Sequence, residues 1–369
     1  MGRVISFALN PDLAELADRA ARVARDGVAE FGRFSDSWMN GYSRPFARQL
    51  ADLGWIGMTW PTEYGGGGRP NIERVIVAEQ LIAAGAPVAS VWFADRPMGP
   101  CLIQFGTDAQ RTEHLPGILS GDTTWCIGMS EPDAGSDLAS LRTSAHRDGD
   151  EWVINGSKIW TSFGEVADYC YLICRTSTGS RPHEGISEII VPMTASGISV
   201  SPIEDLTGNR HFCQVIFDEV RVPAANLVGV EGGAFRQTMR QLEHERGGID
   251  RLVSNRWLYE AARAVADVTD PDIRQRIAEL ETGYTLGRFM VYREALGQAP
   301  PGFSAATKCY CTEHEQRVAR FVDHVLGAAT MLDTQTTRSS NYAPAYTIMG
   351  GTSNIMRRII ADRVLGMPR

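Results

Sequence analysis

Nowhere in the 369 residues does an uninterrupted apolar stretch approach the roughly 20 residues that a membrane span requires. The start, MGRVISFALNPDLAEL, lacks the basic, apolar and small-residue order of a secretory leader, so a cytoplasmic protein is expected. Excess positive charge is missing too. The 36 Lys and Arg stand against 44 Asp and Glu, a formal net charge of −8, which argues against nucleic acid or an anionic membrane as main partner. Cysteine is sparse and odd in number, seven in all. The pairs Cys170/Cys174 and Cys309/Cys311 have no second pair at a zinc-site spacing. Reduced, mostly buried thiols are expected, with no disulfide framework and no metal.

What is present is ordinary globular material, 43% apolar and 22% charged, in a chain long enough for about two or three domains. Leu13, Leu16, Ala17, Ala20, Val23, Ala24 and Val28 fall at the spacing of one helical face. A second helical stretch runs toward Leu53 and stops at TWPTEYGGGG, where Pro61 and Gly65 to Gly68 cannot continue it. A third covers 72–84. After Gly121 the texture changes to short β-branched and aromatic runs, among them WCIGMS, EWVINGSKIWTS, YCYLICRTS, SEIIVPM and HFCQVIFDEVRV, separated by turn residues. Helical periodicity returns from about Gly233, over 235–242, 252–265, 273–296 and 313–326. Residues 333–345, rich in Thr, Ser, Asn and Pro, predict a loop, and Thr352 or Ser353 caps a last helix carrying Ile355, Ile359 and Ile360. The order is helical domain, β-domain, helical domain, divided at 1–122, 123–232 and 233–369.

The densest cluster of special residues is MSEPDAGSDLASLRTSA, where Ser130, Gly135, Ser136 and Asp137 surround a turn after a strand. Small residues, hydroxyls and backbone N–H groups at such a turn can meet the polar edge of a heterocycle or an anion. An Asx-rich turn with no ligand has the same composition. Downstream, SKIWTS sets Trp160 close to Ser162 in a strand, which suits either a cleft lining or plain core.

Together with GWIGMTWPTEYGGGG before them and GGTSNIMRRIIADRVLG after them, these segments resemble the acyl-CoA dehydrogenase family, in the same order and over nearly the whole chain. The resemblance implies a mostly α fold: an N-terminal helical domain, a β-barrel-like middle domain and a C-terminal four-helix bundle. It also implies FAD between domains and subunits, an acyl-CoA substrate, a trans-2-enoyl-CoA product and an electron-transferring flavoprotein as acceptor. By the same resemblance Met129, Ser130, Gly135, Ser136, Trp160 and Ser162 surround the flavin, Ser136 also lies near the CoA arm, and Thr352 and Asn354 reach the cofactor from the C-terminal end.

Such chemistry removes a Cα proton with a carboxylate while the Cβ hydride leaves to flavin N5. In much of the family that carboxylate is a Glu directly before G-T-S, but here the position is Gly350. Similarity to isovaleryl-type members points instead to the E-R pair of QLEHERGGIDR. Glu245 is then the candidate base. Arg246, Ser136 and Gly350 are the candidate substrate contacts, and Glu243 is a weaker base because it does not match the pair. A dry site would raise the base's pKa toward that of the thioester α-proton. Gly247 and Gly248, costly in a helix, leave room for a wide acyl group or for a close helix crossing.

Two departures stand out. The R-x-x-F-G segment that grips FAD pyrophosphate has no match, with Arg263 and Arg274 the nearest substitutes, and the later glycine loop is altered to LGAATML. The DPDIRQRIAEL helix and the RVLGMPR ending resemble an actinobacterial subgroup acting on bulky and sterol-derived CoA thioesters, often as heterotetramers of paralogous chains. A homotetramer or such a heterotetramer is expected. A same-fold oxidase, desaturase or monooxygenase, or a half-site subunit, remains as the alternative.

Overall fold

The computed structural model describes residues 9–178, 181–235, 237, 248–332 and 335–368. Its first part is helical: α1 (Pro11–Phe31), α2 (Ser37–Asn40), α3 (Arg44–Asp52), α4 (Asn71–Ala84), α5 (Ala89–Phe93), α6 (Gly99–Phe105) and α7 (Asp108–Leu119). Asn10 caps α1 by accepting from Leu13 N–H, and Pro11 fills the first turn, where its missing N–H costs nothing. Between α5 and α6 one turn of π-helix, Ala94–Met98, carries Asp95, Arg96 and Pro97.

The middle part contributes β1 (Trp125–Gly128), β2 (Ser144–Asp148), β3 (Glu151–Ser162), β4 (Tyr169–Arg175), β5 (Ile186–Pro192), β6 (Ile198–Ile203), β7 (Phe212–Pro223) and β8 (Leu227–Val228). They form one sheet in the order β6-β7-β3-β2-β4-β5-β8, with β1 alongside β4. The two longest, β3 and β7, pair antiparallel along nearly their full lengths. Their inward residues, including Trp152, Ile154, Val215, Phe217 and Val220, make a core of their own.

The third part holds α8 (Asp250–Val253), α9 (Arg256–Val265), α10 (Pro271–Ala295), α11 (Phe303–Leu326), α12 (Gln335–Tyr346) and α13 (Ser353–Ile359). The largest core joins it to the first part, with Phe46, Ile82 and Leu102 packed in one cluster with Leu252, Tyr259 and Phe321. All seven cysteines are free and buried.

One expectation fails: residues 335–346 are helix, not loop. Arg338, Tyr342 and Tyr346, four apart, are buried along one face, so tertiary packing overrides the poor helix propensity of Thr, Ser and Asn. The helix also meets the loop between β6 and β7, since Arg338 donates to Thr207 Oγ1 at 2.6 Å and Asn341 Nδ2 to Leu206 O at 3.0 Å.

Tyr346 donates in turn to Asp36, a fully buried residue in the left-handed region at φ 51°. Burial pushes the Asp36 carboxyl up to about 6, against the opposing influence of the Tyr346 hydroxyl and Arg338. The fold therefore prefers its protonated form. This contribution is complete below the unfolded value of 3.8 and is lost as pH rises through about 6. Asp36→Asn is expected to remove that slope, so the variant gains on the parent by up to roughly 3 kcal/mol between pH 4 and 7. Denaturant titrations at the two pH values check it, and a difference that does not grow with pH refutes it.

Candidate active site

The site starts from a buried ion pair. Lys158 in β3 is fully buried, and its Nζ lies 2.8 Å from Glu131 Oε1 and 3.0 Å from Met129 O. Glu131 also accepts from the backbone N–H groups of Arg142 and Thr143, at 2.6 and 2.9 Å. Burial alone would raise its carboxyl, but the Lys158 ammonium and these donors outweigh burial and hold it below the usual range. Ile159 N–H donates to Ser130 O at 2.9 Å, and Glu131 and Ala134 exchange backbone hydrogen bonds. The SEPDAGSD turn is thus clamped against β3 at its leading shoulder and closed on itself between Glu131 and Ala134.

What the clamp leaves outside is Gly135, Ser136 and Asp137, all exposed. A methyl group added at Gly135 would meet nothing within 4 Å, so packing within the chain does not require glycine there. Met129 packs against the small cluster of Leu138, Leu141 and Ala234.

The far end of β3 is bent. Lys158 pairs with Val215 and Thr161 with Cys213, three steps on β3 against two on β7. The extra residue is a β-bulge, which re-aims side chains. Within it Trp160 takes φ 60°, uncommon for a bulky residue, and its ring is 54% exposed with its edge against Phe212 at 5.7 Å. A strained, half-exposed tryptophan is poor core material and a good face for a flat ring. Beside it Ser162 is buried, and the buried Thr161 Oγ1 has no protein partner. An exposed indole, free hydroxyls on the clamped turn and an unpaired buried hydroxyl fit a planar, hydrogen-bonding cofactor such as a flavin.

Phe212 carries this surface toward the C-terminal helices, where it packs with Tyr342 and Met349. Met349 precedes Gly350 and Gly351, at φ 65° and 91°, a turn open to glycine and strained for other residues. Lys308 Nζ donates to Gly351 O at 2.6 Å. Thr352 caps α13, its Oγ1 accepting from Ile355 N–H at 3.1 Å, and Asn354 is exposed on the first turn of that helix. A methyl group at Gly350 would lie 2.6 Å from Arg251 Nη2.

Glu245, Arg246, Glu243 and Gly247 lie outside the described residues. Gly248 is described, and its bareness serves a close approach: a methyl group there would sit 1.9 Å from Asp250 Oδ1 and 3.3 Å from Arg96 Nη2. Arg263 and Arg274 are engaged locally, the first with Glu281 at 3.1 Å and the second with Val268 O and Thr269 O at 3.0 and 2.9 Å. Sequence reasoning missed Lys158, Glu131 and Arg251. The signal for the first two was faint, a lysine inside the mixed strand EWVINGSKIWTS and a glutamate in the dense SEPDAGSD turn.

Family models for the acyl-CoA dehydrogenase N-terminal, middle and C-terminal domains match residues 10–122, 126–220 and 232–365. The chain is 38% identical over 341 residues to acyl-CoA dehydrogenase IpdE1 of Mycobacterium tuberculosis, covering 88% of each. It is 33% identical over 353 residues to FadE26 of the same organism, covering 87% of each. Among solved structures it superposes on the Tcur3481-Tcur3483 steroid ACAD with TM-score 0.90 at 33% identity, covering 99% of this chain and 100% of that one. The ChsE4-ChsE5 complex from Mycobacterium tuberculosis gives TM-score 0.87 at 31% identity, covering 99% and 100%. With its three domains matched in order and its relatives aligned almost end to end, this chain belongs to the acyl-CoA dehydrogenase family.

Proposed function

We propose that this enzyme dehydrogenates a bulky, steroid-derived acyl-CoA thioester to its trans-2-enoyl form, with Glu245 as the base that takes the Cα proton. The observation that carries the assignment is at position 350. There the backbone has φ 65° and Arg251 Nη2 fills the space a side chain would enter. Glycine at 350 offers no carboxylate, and the turn's φ disfavours a side chain there, so the base comes from another element, and the E-R pair supplies it.

FAD, when bound, accepts the hydride that leaves Cβ. Trp160 offers a ring face to the cofactor, the clamped turn of Met129, Ser130, Gly135 and Ser136 borders it, Ser162 flanks it, and Thr352 and Asn354 approach from the α13 end. Arg246 orients the Glu245 carboxylate or the substrate, and Ser136 and Gly350 line the thioester's path. The domain limits are 1–122, 123–232 and 233–369. The acceptor is an electron-transferring flavoprotein, and the chain works in the cytoplasm as a homotetramer or as a heterotetramer with a paralogous subunit. The mycobacterial relatives and the paired-chain names of the two structural neighbours support the steroid substrate and the second chain.

The test is anaerobic flavin bleaching by straight, branched and steroid-derived acyl-CoAs, with and without a co-expressed paralogue. Steroid-derived thioesters are expected to bleach fastest, by about tenfold or more over straight chains if pocket shape discriminates in the usual way. Failure of every thioester in both preparations sinks the proposal. Rapid reoxidation by oxygen after bleaching would move the chemistry to an oxidase.

A further inference from the structure

The two glycines at 350 and 351, both at positive φ, form a turn with no side chain of its own to hold it. One helix face does the holding. Lys308, Cys309, Glu313 and Gln316 fall on the same side of α11. Gln316 Nε2 donates to Thr347 Oγ1 at 3.0 Å and to Ala343 O at 3.4 Å, before the turn. After it, Cys309 Sγ donates to Ser353 O at 3.6 Å, and Arg357 Nη2 of α13 reaches Glu313 Oε1 at 2.5 Å. At the centre, Lys308 Nζ donates to Gly351 O at 2.6 Å.

The lysine is the costly member of this set. It is fully buried, and an ammonium taken out of water is unfavourable even when it is hydrogen-bonded. Packing does not require it. Ala305, Cys309 and Met356 already join α11 to α13 in an apolar cluster, and a methionine would occupy much of the same space without the charge. Neutral donors serve the acceptors on either side of the turn, as Cys309 and Gln316 show. What a cation adds is one short, strong and directional hydrogen bond.

That bond acts on the softest peptide of the turn. The plane between Gly351 and Thr352 rotates by opposed changes in Gly351 ψ and Thr352 φ, and glycine offers little steric resistance. Holding the carbonyl toward α11 settles its orientation. Because the peptide is trans and planar, Thr352 N–H then points away from α11, and it donates to no backbone carbonyl of the described residues. Thr352 stands in extended backbone, at φ −62° and ψ 153°, and caps α13 by accepting from Ile355 N–H at Oγ1 and from Met356 N–H at its carbonyl. Its placement sets where the exposed Asn354 emerges on the first turn of that helix.

We infer that Lys308 is a positioning residue for the cofactor: its ammonium fixes the Gly351–Thr352 peptide and thereby aims the Thr352 N–H and the Asn354 amide at FAD. This rests on the reading above, in which Thr352 and Asn354 approach FAD. Without the ammonium the turn divides between two peptide orientations. FAD then meets only the fraction that is correctly turned, and its affinity falls in proportion.

The experiment follows FAD release from the purified holoenzyme, with its paralogue if one is required, through the return of flavin fluorescence on serial dilution. Lys308→Met is expected to raise the FAD dissociation constant about tenfold to a hundredfold, as for a turn correctly placed about a tenth to a hundredth of the time. The thermal midpoint of the flavin-free chain should change little, since the variant also removes a buried charge. Asn354→Ala weakens FAD binding by a factor of its own. In Lys308→Met/Asn354→Ala the two factors should not multiply, and the double variant should lie within about threefold of Lys308→Met, because the amide is no longer aimed. Full multiplication overturns the inference, as does an unchanged dissociation constant in Lys308→Met while Asn354→Ala loses affinity. If Asn354→Ala holds FAD as the parent does, the cofactor reading of this turn fails, and the inference falls with it. Lys308→Gln, which keeps a neutral donor of shorter reach, is expected between the parent and the methionine variant. Should Lys308→Met not fold, the same cycle built on Lys308→Gln decides.

Discussion

Replacing Glu245 by Gln is expected to slow acyl-CoA-driven flavin reduction by about 10²–10⁴-fold, the usual contribution of a positioned general base, while FAD stays bound. Glutamine keeps the size and one acceptor oxygen of the glutamate but cannot take up a proton at neutral pH. The effect should appear in the single-turnover reduction rate at saturating substrate, since the interaction lost is one made in the transition state. Glu243→Gln, two residues away and outside the E-R pair, is the control and should reduce at close to the parent rate. Equal rates for the parent and Glu245→Gln would remove the assignment. A large loss with Glu243→Gln in its place would move the base by two positions.

Lys158→Met should be the most damaging single change in the middle domain. It leaves the Glu131 carboxylate buried with two backbone donors and no cation, and breaking one side of a buried pair costs about 3–5 kcal/mol. The consequence reaches the cofactor, because the same ammonium holds Met129 O and thereby the shoulder of the SEPDAGSD turn. Lower thermal stability and a reduced FAD-to-protein ratio are expected together. The double variant Lys158→Met/Glu131→Gln, which removes the stranded charge, should recover most of the stability and little of the FAD content. Full FAD loading in Lys158→Met at normal stability would show that the turn does not depend on this clamp.

Much of the architecture was legible because its signals were local. The 3.6-residue spacing from Leu13 to Val28 became α1, and the β-branched runs after Gly121 became the sheet. The helix at Gln335–Tyr346 was not legible, because its stability comes from Arg338, Tyr342 and Tyr346 meeting other elements, and its composition reads as a turn. The site divides in the same way. The SEPDAGSD turn and the Trp160 strand were readable as chemistry-bearing types. The one-residue slip against β7 that turns Trp160 outward depends on pairing with residues more than fifty positions away. Arg251 was passed over because nothing in its own neighbourhood distinguishes it from a solvated helix residue. Only its packing against Trp38 and Gly350 does.

The contact between Arg251 and Gly350 also constrains how this chain can change. A side chain introduced at 350 would have to displace the Arg251 guanidinium and adopt φ 65°. The effect of such a substitution therefore depends on where the Arg251 guanidinium goes. The two positions are coupled, and what a change at 350 does is decided in part by the residue that stands at 251.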